Sequence, residues 1–104
     1  MGRLIEFASP LRLPTTLEVL VGDLLLFRAT GGKVVSGADI VESLGAYAIG
    51  TPVAGGQVLS PEGPPATVLF LAKKPGQCRL EIFGGDPWHG SQPGTVVDLS
   101  VGAR

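Results

Sequence analysis

Cysteine, histidine, tryptophan and tyrosine are nearly missing from this chain, each occurring once in 104 residues. The lone cysteine, Cys78, excludes an internal disulfide, so the fold is held by packing alone and tolerates a reducing compartment. The lone histidine, His89, has neither a CxxC nor an HxxxH partner, and no metal or other cofactor is expected. Charge is sparse too. Lys and Arg number 8 against 9 Asp and Glu, there is no basic stripe, and the aromatics are not interleaved with cations, which sets nucleic acid aside as a partner. Long apolar runs are also absent: none reaches the ~20 residues of a membrane-spanning helix, and the N-terminal stretch has no signal-like apolar core. The default expectation is a cytoplasmic protein unless an export signal was trimmed.

What the chain does have is glycine, 16 residues, and proline, 9, dispersed without period in a sequence that is 44% hydrophobic. That combination reads as short strands with frequent turns rather than disorder or collagen. The length suits a single domain over residues 1–104 with one core.

The strand pattern is densest from residue 66 onward. Residues 66–74 are apolar on both faces through Val68, Leu69, Phe70, Leu71 and Ala72, the expectation for a strand covered on both sides. Pro75-Gly76 then turns the chain into a strand in which Cys78, Leu80 and Ile82 share one face and Arg79 and Glu81 the other. Val97, Leu99 and Val101 alternate with Asp98 and Ser100 in the last strand. Further upstream, residues 4–7 and 11–16 read as edge segments, Leu17, Val19 and Val21 alternate, and residues 24–29 form a central strand after a turn at Gly22-Asp23. Thr30 to Lys33 reads as a turn. Residues 36–44 fit a strand or a single helical turn, since Ser36 and Asp39 have capping-box spacing but Gly37 weakens a helix. Residues 47–53, broken at Gly50 and Pro52, and residues 57–59 complete the set. About seven or eight short strands with regular turn signals imply an all-β fold, an antiparallel sandwich of the immunoglobulin-like kind.

An enzyme needs groups that can meet, and this chain offers few. Cys78 and His89 would be a nucleophile and base, but Cys78 shares the inward face of its strand with Leu80 and Ile82, where a free cysteine behaves as a small hydrophobe. The Gly31-Gly32-Lys33 stretch lacks phosphate-loop spacing, and the carboxylates are too dispersed for a glycosidase pair. No enzymatic activity is expected. The remaining feature is Asp86-Pro87-Trp88-His89, set among Gly84, Gly85, Gly90, Pro93 and Gly94. Trp88 either folds back over an open end of the sandwich or, stiffened by Pro87, serves as a low-entropy contact for a protein partner.

The order of motifs resembles the chagasin-type inhibitors of papain-like cysteine peptidases. Val21-Gly22-Asp23 precedes an apolar strand, a Gly/Pro loop leads into a buried strand, Pro75-Gly76 turns, and Pro87-Trp88 with Gly90 precedes a final alternating strand. The resemblance implies an immunoglobulin-like sandwich whose three loops at one end wedge into a peptidase cleft. On it, the family's R-P-W/F loop falls on Asp86, Pro87 and Trp88, an acid replacing the arginine. Its Gly-rich loop keeps only Gly63, and its N-P-T-T-G loop is replaced by Thr30, Gly31 and Gly32. The expected function is therefore a non-enzymatic protein-binding domain, most specifically a peptidase inhibitor. The binding residues would be Asp86, Pro87, Trp88 and His89, with Gly63, Gly31 and Gly32 beside them. The alternative is a structural or adhesive module, or one binding carbohydrate or a surface, in which Trp88 packs or stacks on a sugar.

Overall fold

The computed structural model describes residues 2–7, 13–60, 66–84 and 94–103. Ten strands run in chain order: β1 (Leu4–Phe7), β2 (Thr16–Leu20), β3 (Leu24–Phe27), β4 (Gly31–Ser36), β5 (Val41–Tyr47), β6 (Thr51–Pro52), β7 (Val58–Leu59), β8 (Thr67–Ala72), β9 (Gly76–Phe83) and β10 (Thr95–Gly102). Two four-stranded sheets, ordered β1-β3-β8-β5 and β2-β10-β9-β4, form the sandwich, and β6 and β7 make a separate small hairpin. Within each sheet the pairing is antiparallel except at one edge, where β1 runs parallel to β3 and β2 parallel to β10. This is an all-β, immunoglobulin-like sandwich, with no helix among the described residues.

The inward positions alternate as a half-buried sheet requires. Leu25 and Phe27 on β3 and Phe70 and Ala72 on β8 face Leu80 and Ile82 on β9 and Val97, Leu99 and Val101 on β10, all buried. Phe27 anchors this layer. Its ring stacks on Phe7 at 4.6 Å between centroids and takes Phe70 edge-on at 5.8 Å. Each such aromatic or aliphatic side chain contributes roughly 1.5 to 3 kcal/mol by leaving water.

The pole carrying the β2–β3 turn is fixed by Asp23. Its carboxylate is fully buried and accepts from Arg3 Nε at 3.1 Å, Arg3 Nη2 at 2.6 Å, the Arg3 backbone N at 3.3 Å and the Leu20 backbone N at 2.8 Å. The turn is also tied to the end of β8: Gly22 N donates to Ala72 O, and Ala72 N donates to Asp23 O. Gly22 is there because the turn needs φ +93°.

The structure resolves three local expectations. The turn read at Thr30 to Lys33 falls earlier, at Ala29-Thr30. Gly31 and Gly32 are already strand residues paired with Phe83 and Ile82, and a Cβ on Gly32 would stand 3.1 Å from Phe70. The stretch 36–44 holds both a single turn and a strand: Ser36 ends β4, Ile40 N and Val41 N donate to Gly37 O across the turn at 37–40, and Val41 starts β5. Gly37, at φ +82°, is held so close to Cys78 that no side chain fits. Finally, the outward face of β8 is less closed than its inward face among the described residues: Leu69 and Leu71 are only half-buried there, while Val68, Phe70 and Ala72 are buried against the second sheet.

One polar atom is out of balance. Thr67 Oγ1 is buried and finds no hydrogen-bond partner among the described residues. The isosteric Thr67→Val should therefore raise stability, by about 1 kcal/mol in urea unfolding, because it removes a desolvated hydroxyl without changing shape. A loss of stability would mean that the hydroxyl is bonded after all.

Candidate functional site

Strand direction sends four connections to the pole opposite Asp23: those after β1, between β3 and β4, between β5 and β8, and between β9 and β10. Three of these correspond to the loops read from the sequence. The β3–β4 connection is the tightest, and it is bonded to the foot of the β9–β10 connection. Phe83 O, the last carbonyl of β9, accepts from both the backbone N of Thr30 at 2.9 Å and Thr30 Oγ1 at 3.0 Å. On the returning side Thr95 pairs with Ile82, and Gly94 sits so close to Glu81 and Phe83 that an added Cβ would lie 2.4 Å from Glu81 Cγ. Lys33 completes the foot, 3.4 Å from Glu81 and 5.9 Å from the centre of the Phe83 ring.

The sequence-read binding residues divide accordingly. Gly31 and Gly32 lie in β4 directly behind Thr30, beside Phe83 and Ile82. Asp86, Pro87, Trp88 and His89, together with Gly63, lie outside the described residues. The strand ends on either side of 85–93 are described, and they bring the start and finish of that segment to neighbouring positions in one sheet.

The β5–β8 connection holds what sequence reasoning missed. It leaves and returns side by side, with Tyr47 paired to Thr67 and Ala66 N donating to Tyr47 O. Between them β6 and β7 form a hairpin through Thr51–Leu59 and Pro52–Val58 pairs, closed by Gly56 N donating to Val53 O, with Gly56 at φ +85°. Its side chains are apolar and open to solvent: Val58 is 65% exposed and Leu59 54%, with Tyr47, Ile49 and Val53 also exposed. Most of the large exposed apolar residues of the described chain gather here, in the connection that leaves β5 and enters β8 at the same pole as the end of β9 and the start of β10. The Gly55-Gly56 pair between Val53 and Val58 was the available signal for the hairpin. Nothing in the periodicity tells an exposed apolar pair from a buried one.

Cys78 takes no part in this pole. It is buried against Gly37, and burial pushes its thiol up to about 11. Native protein at pH 8 should therefore leave a thiol reagent unconsumed until denaturant is added; fast labelling of the folded chain would contradict this environment. On the outward face of the β2-β10-β9-β4 sheet, Arg79 meets Asp98 at 2.7 Å and Gln77 meets Ser100 at 3.1 Å. This is a solvated cross-strand ladder rather than a catalytic set.

Comparison with known proteins bears on the fold. No family model and no curated protein sequence matches the chain. A solved structure does. The cysteine protease inhibitor EhICP2 from Entamoeba histolytica aligns with a TM-score of 0.50 at 15% identity, covering 99% of this chain and 97% of that one. A reduced Cu(I) form of amicyanin aligns at a TM-score of 0.37 and 15% identity, with 98% and 81% covered. At such identity the first likeness establishes a shared sandwich over nearly the whole chain, and a fold by itself hosts many activities.

Proposed function

We propose that this protein is a non-enzymatic inhibitor of papain-like cysteine peptidases, acting by insertion of loops into the substrate cleft. The observation that carries the reading is the gathering of the β3–β4, β5–β8 and β9–β10 connections at one pole of an immunoglobulin-like sandwich. The first and last of them are bonded together at Phe83. A peptidase cleft is a long concave groove, and a row of loops on a rigid support fills such a groove at small entropic cost. In this reading Trp88, held by Pro87, is the aromatic anchor, Asp86 and His89 flank it, and Thr30 with Gly31 and Gly32 braces its foot. The β6–β7 hairpin supplies apolar contact through Val58 and Leu59, in place of the small residues expected around Gly63. The likeness to a protein titled as a cysteine protease inhibitor supports the same reading at the level of the fold.

The test is a titration of purified protein into papain and a cathepsin L-type peptidase while substrate hydrolysis is followed. Inhibition that stays competitive with substrate is expected. Full peptidase activity in the presence of micromolar protein would leave the adhesive or carbohydrate-binding reading instead. The double variant Val58→Ser, Leu59→Ser should weaken inhibition about tenfold, the effect of losing two exposed apolar contacts, and should keep the melting temperature.

A further inference from the structure

The outward face of the β1-β3-β8-β5 sheet carries a square of leucines. Leu24 and Leu26 on β3 stand beside Leu71 and Leu69 on β8, in register, and all four are only partly buried. Leu4, 61% exposed, extends the row from β1. Around this square the charges follow a rule. The acids lie on the two lateral strands, Glu6 on β1 beside Leu26 and Glu42 on β5 beside Leu71. The bases lie past the ends of the two central strands, Arg28 after β3 at one pole and Lys73 after β8 at the other. Both bases reach the same face, since Arg28 Nε donates to Glu6 at 3.0 Å and Lys73 Nζ stands 4.0 Å from Glu42.

We infer that this face pairs two copies of the chain, their sheets crossing at roughly 90° about a two-fold axis. A right-angle crossing lays the lateral edges of one sheet over the strand ends of the other. Glu6 and Glu42 of each copy then meet Arg28 and Lys73 of its mate, and they do so for either sense of the crossing. An aligned crossing sets the acids over Leu4 or Gly45 and forfeits the pairing. A partner of one charge sign would leave half of this rim unmatched, whereas a second copy matches all of it. The ion pairs now made within one chain are exposed and weak, so exchanging them between copies costs little. Four strands ~4.8 Å apart give a footprint of roughly 20 by 20 Å, about half the ~800 Å² per partner of a standard interface. The dimer is accordingly weak and forms in a concentration-dependent way.

Sedimentation velocity from about 5 μM to about 1 mM, which spans the dissociation constants of a weak dimer, tests the inference. The wild-type chain should pass from monomer toward dimer, and Leu69→Lys should stay monomeric with its circular dichroism spectrum unchanged. The double variant Glu6→Lys, Glu42→Lys and the double variant Arg28→Glu, Lys73→Glu should each lose association at least tenfold, and their equimolar mixture should regain it as a heterodimer. A wild-type monomer throughout, a dimer indifferent to Leu69→Lys, or folded charge variants that fail to associate on mixing would each overturn it.

Discussion

Trp88→Ala is expected to weaken inhibition of a papain-like peptidase by about 30-fold or more, the equivalent of about 2 kcal/mol for an interface anchor. The melting temperature should stay where it was. The two halves of this result belong together. Both feet of the segment that carries Trp88 are held by contacts that do not involve it: Thr30 bonds Phe83 O on one side, and Thr95 pairs with Ile82 on the other. Removing the indole therefore removes contact area and leaves the support in place. A proline fixes its own φ, so on the proposed reading Pro87 would reduce the freedom lost when Trp88 binds, the basis of the large expected effect. Calorimetric unfolding and inhibition titrations on the same two samples decide the matter. A fall of roughly 3 to 5 kcal/mol in stability would instead mark Trp88 as part of the core and end its role as an anchor.

Asp23→Ala should be the most damaging single change away from the loop pole, lowering stability by about 3 kcal/mol. The carboxylate is the meeting point of β1, through Arg3, and of the β2–β3 turn, through Leu20. Without it the part-buried N–H of Leu20 loses its acceptor, and Arg3, half exposed, returns to solvent. The pH dependence has a definite sign. The Arg3 guanidinium holds the Asp23 carboxyl well below the usual carboxylate range. As pH falls, the unfolded chain takes up the proton first, so the stabilisation is complete above about pH 5 and declines below the ordinary Asp value of ~3.9. Asp98 is shifted in the same direction by Arg79, but it is exposed and contributes less. Urea unfolding at pH 7 and pH 3 should thus show a loss at low pH that is much reduced in Asp23→Asn. An equal loss in that variant would assign the acid sensitivity to other carboxylates.

The elements most legible in the sequence were those whose environment differs between their two faces. Strands β9 and β10 alternate because one side meets the core and the other water, so Cys78, Leu80, Ile82, Val97, Leu99 and Val101 were readable as inward residues. The turn at Gly22-Asp23 was equally plain from its residue types, although the burial of Asp23 was not. Strand β8 misled for the complementary reason: periodicity records which side chains are apolar, not how far they are covered, and among the described residues its outward Leu69 and Leu71 are only half-buried. The β6–β7 hairpin was broken into unrelated fragments, because two pairs of residues are too short to show a period. The first turn of β4 was hidden by glycine. Gly31 and Gly32 read as a bend, yet Gly32 is in the strand because Phe70 and Ile82 leave no room for a larger residue. Of the candidate site, the residue types of the aromatic segment could be read directly. The bracing of its foot by Thr30 could not, since that bond joins positions far apart in the chain.

The pole at Asp23 also sets how the molecule can be held. Arg3 O accepts from Leu24 N and Gly102 O accepts from Val21 N, so the first and last described strands both begin or finish at this one turn. A tether, a fused domain or a solid support attached at either end of 2–103 would grip the sandwich from behind. Phe83 and Thr95, the strand ends from which the β9–β10 connection leaves and to which it returns, and the apolar hairpin would then lie at the far side, with the length of the sandwich acting as a built-in spacer between the point of attachment and that pole.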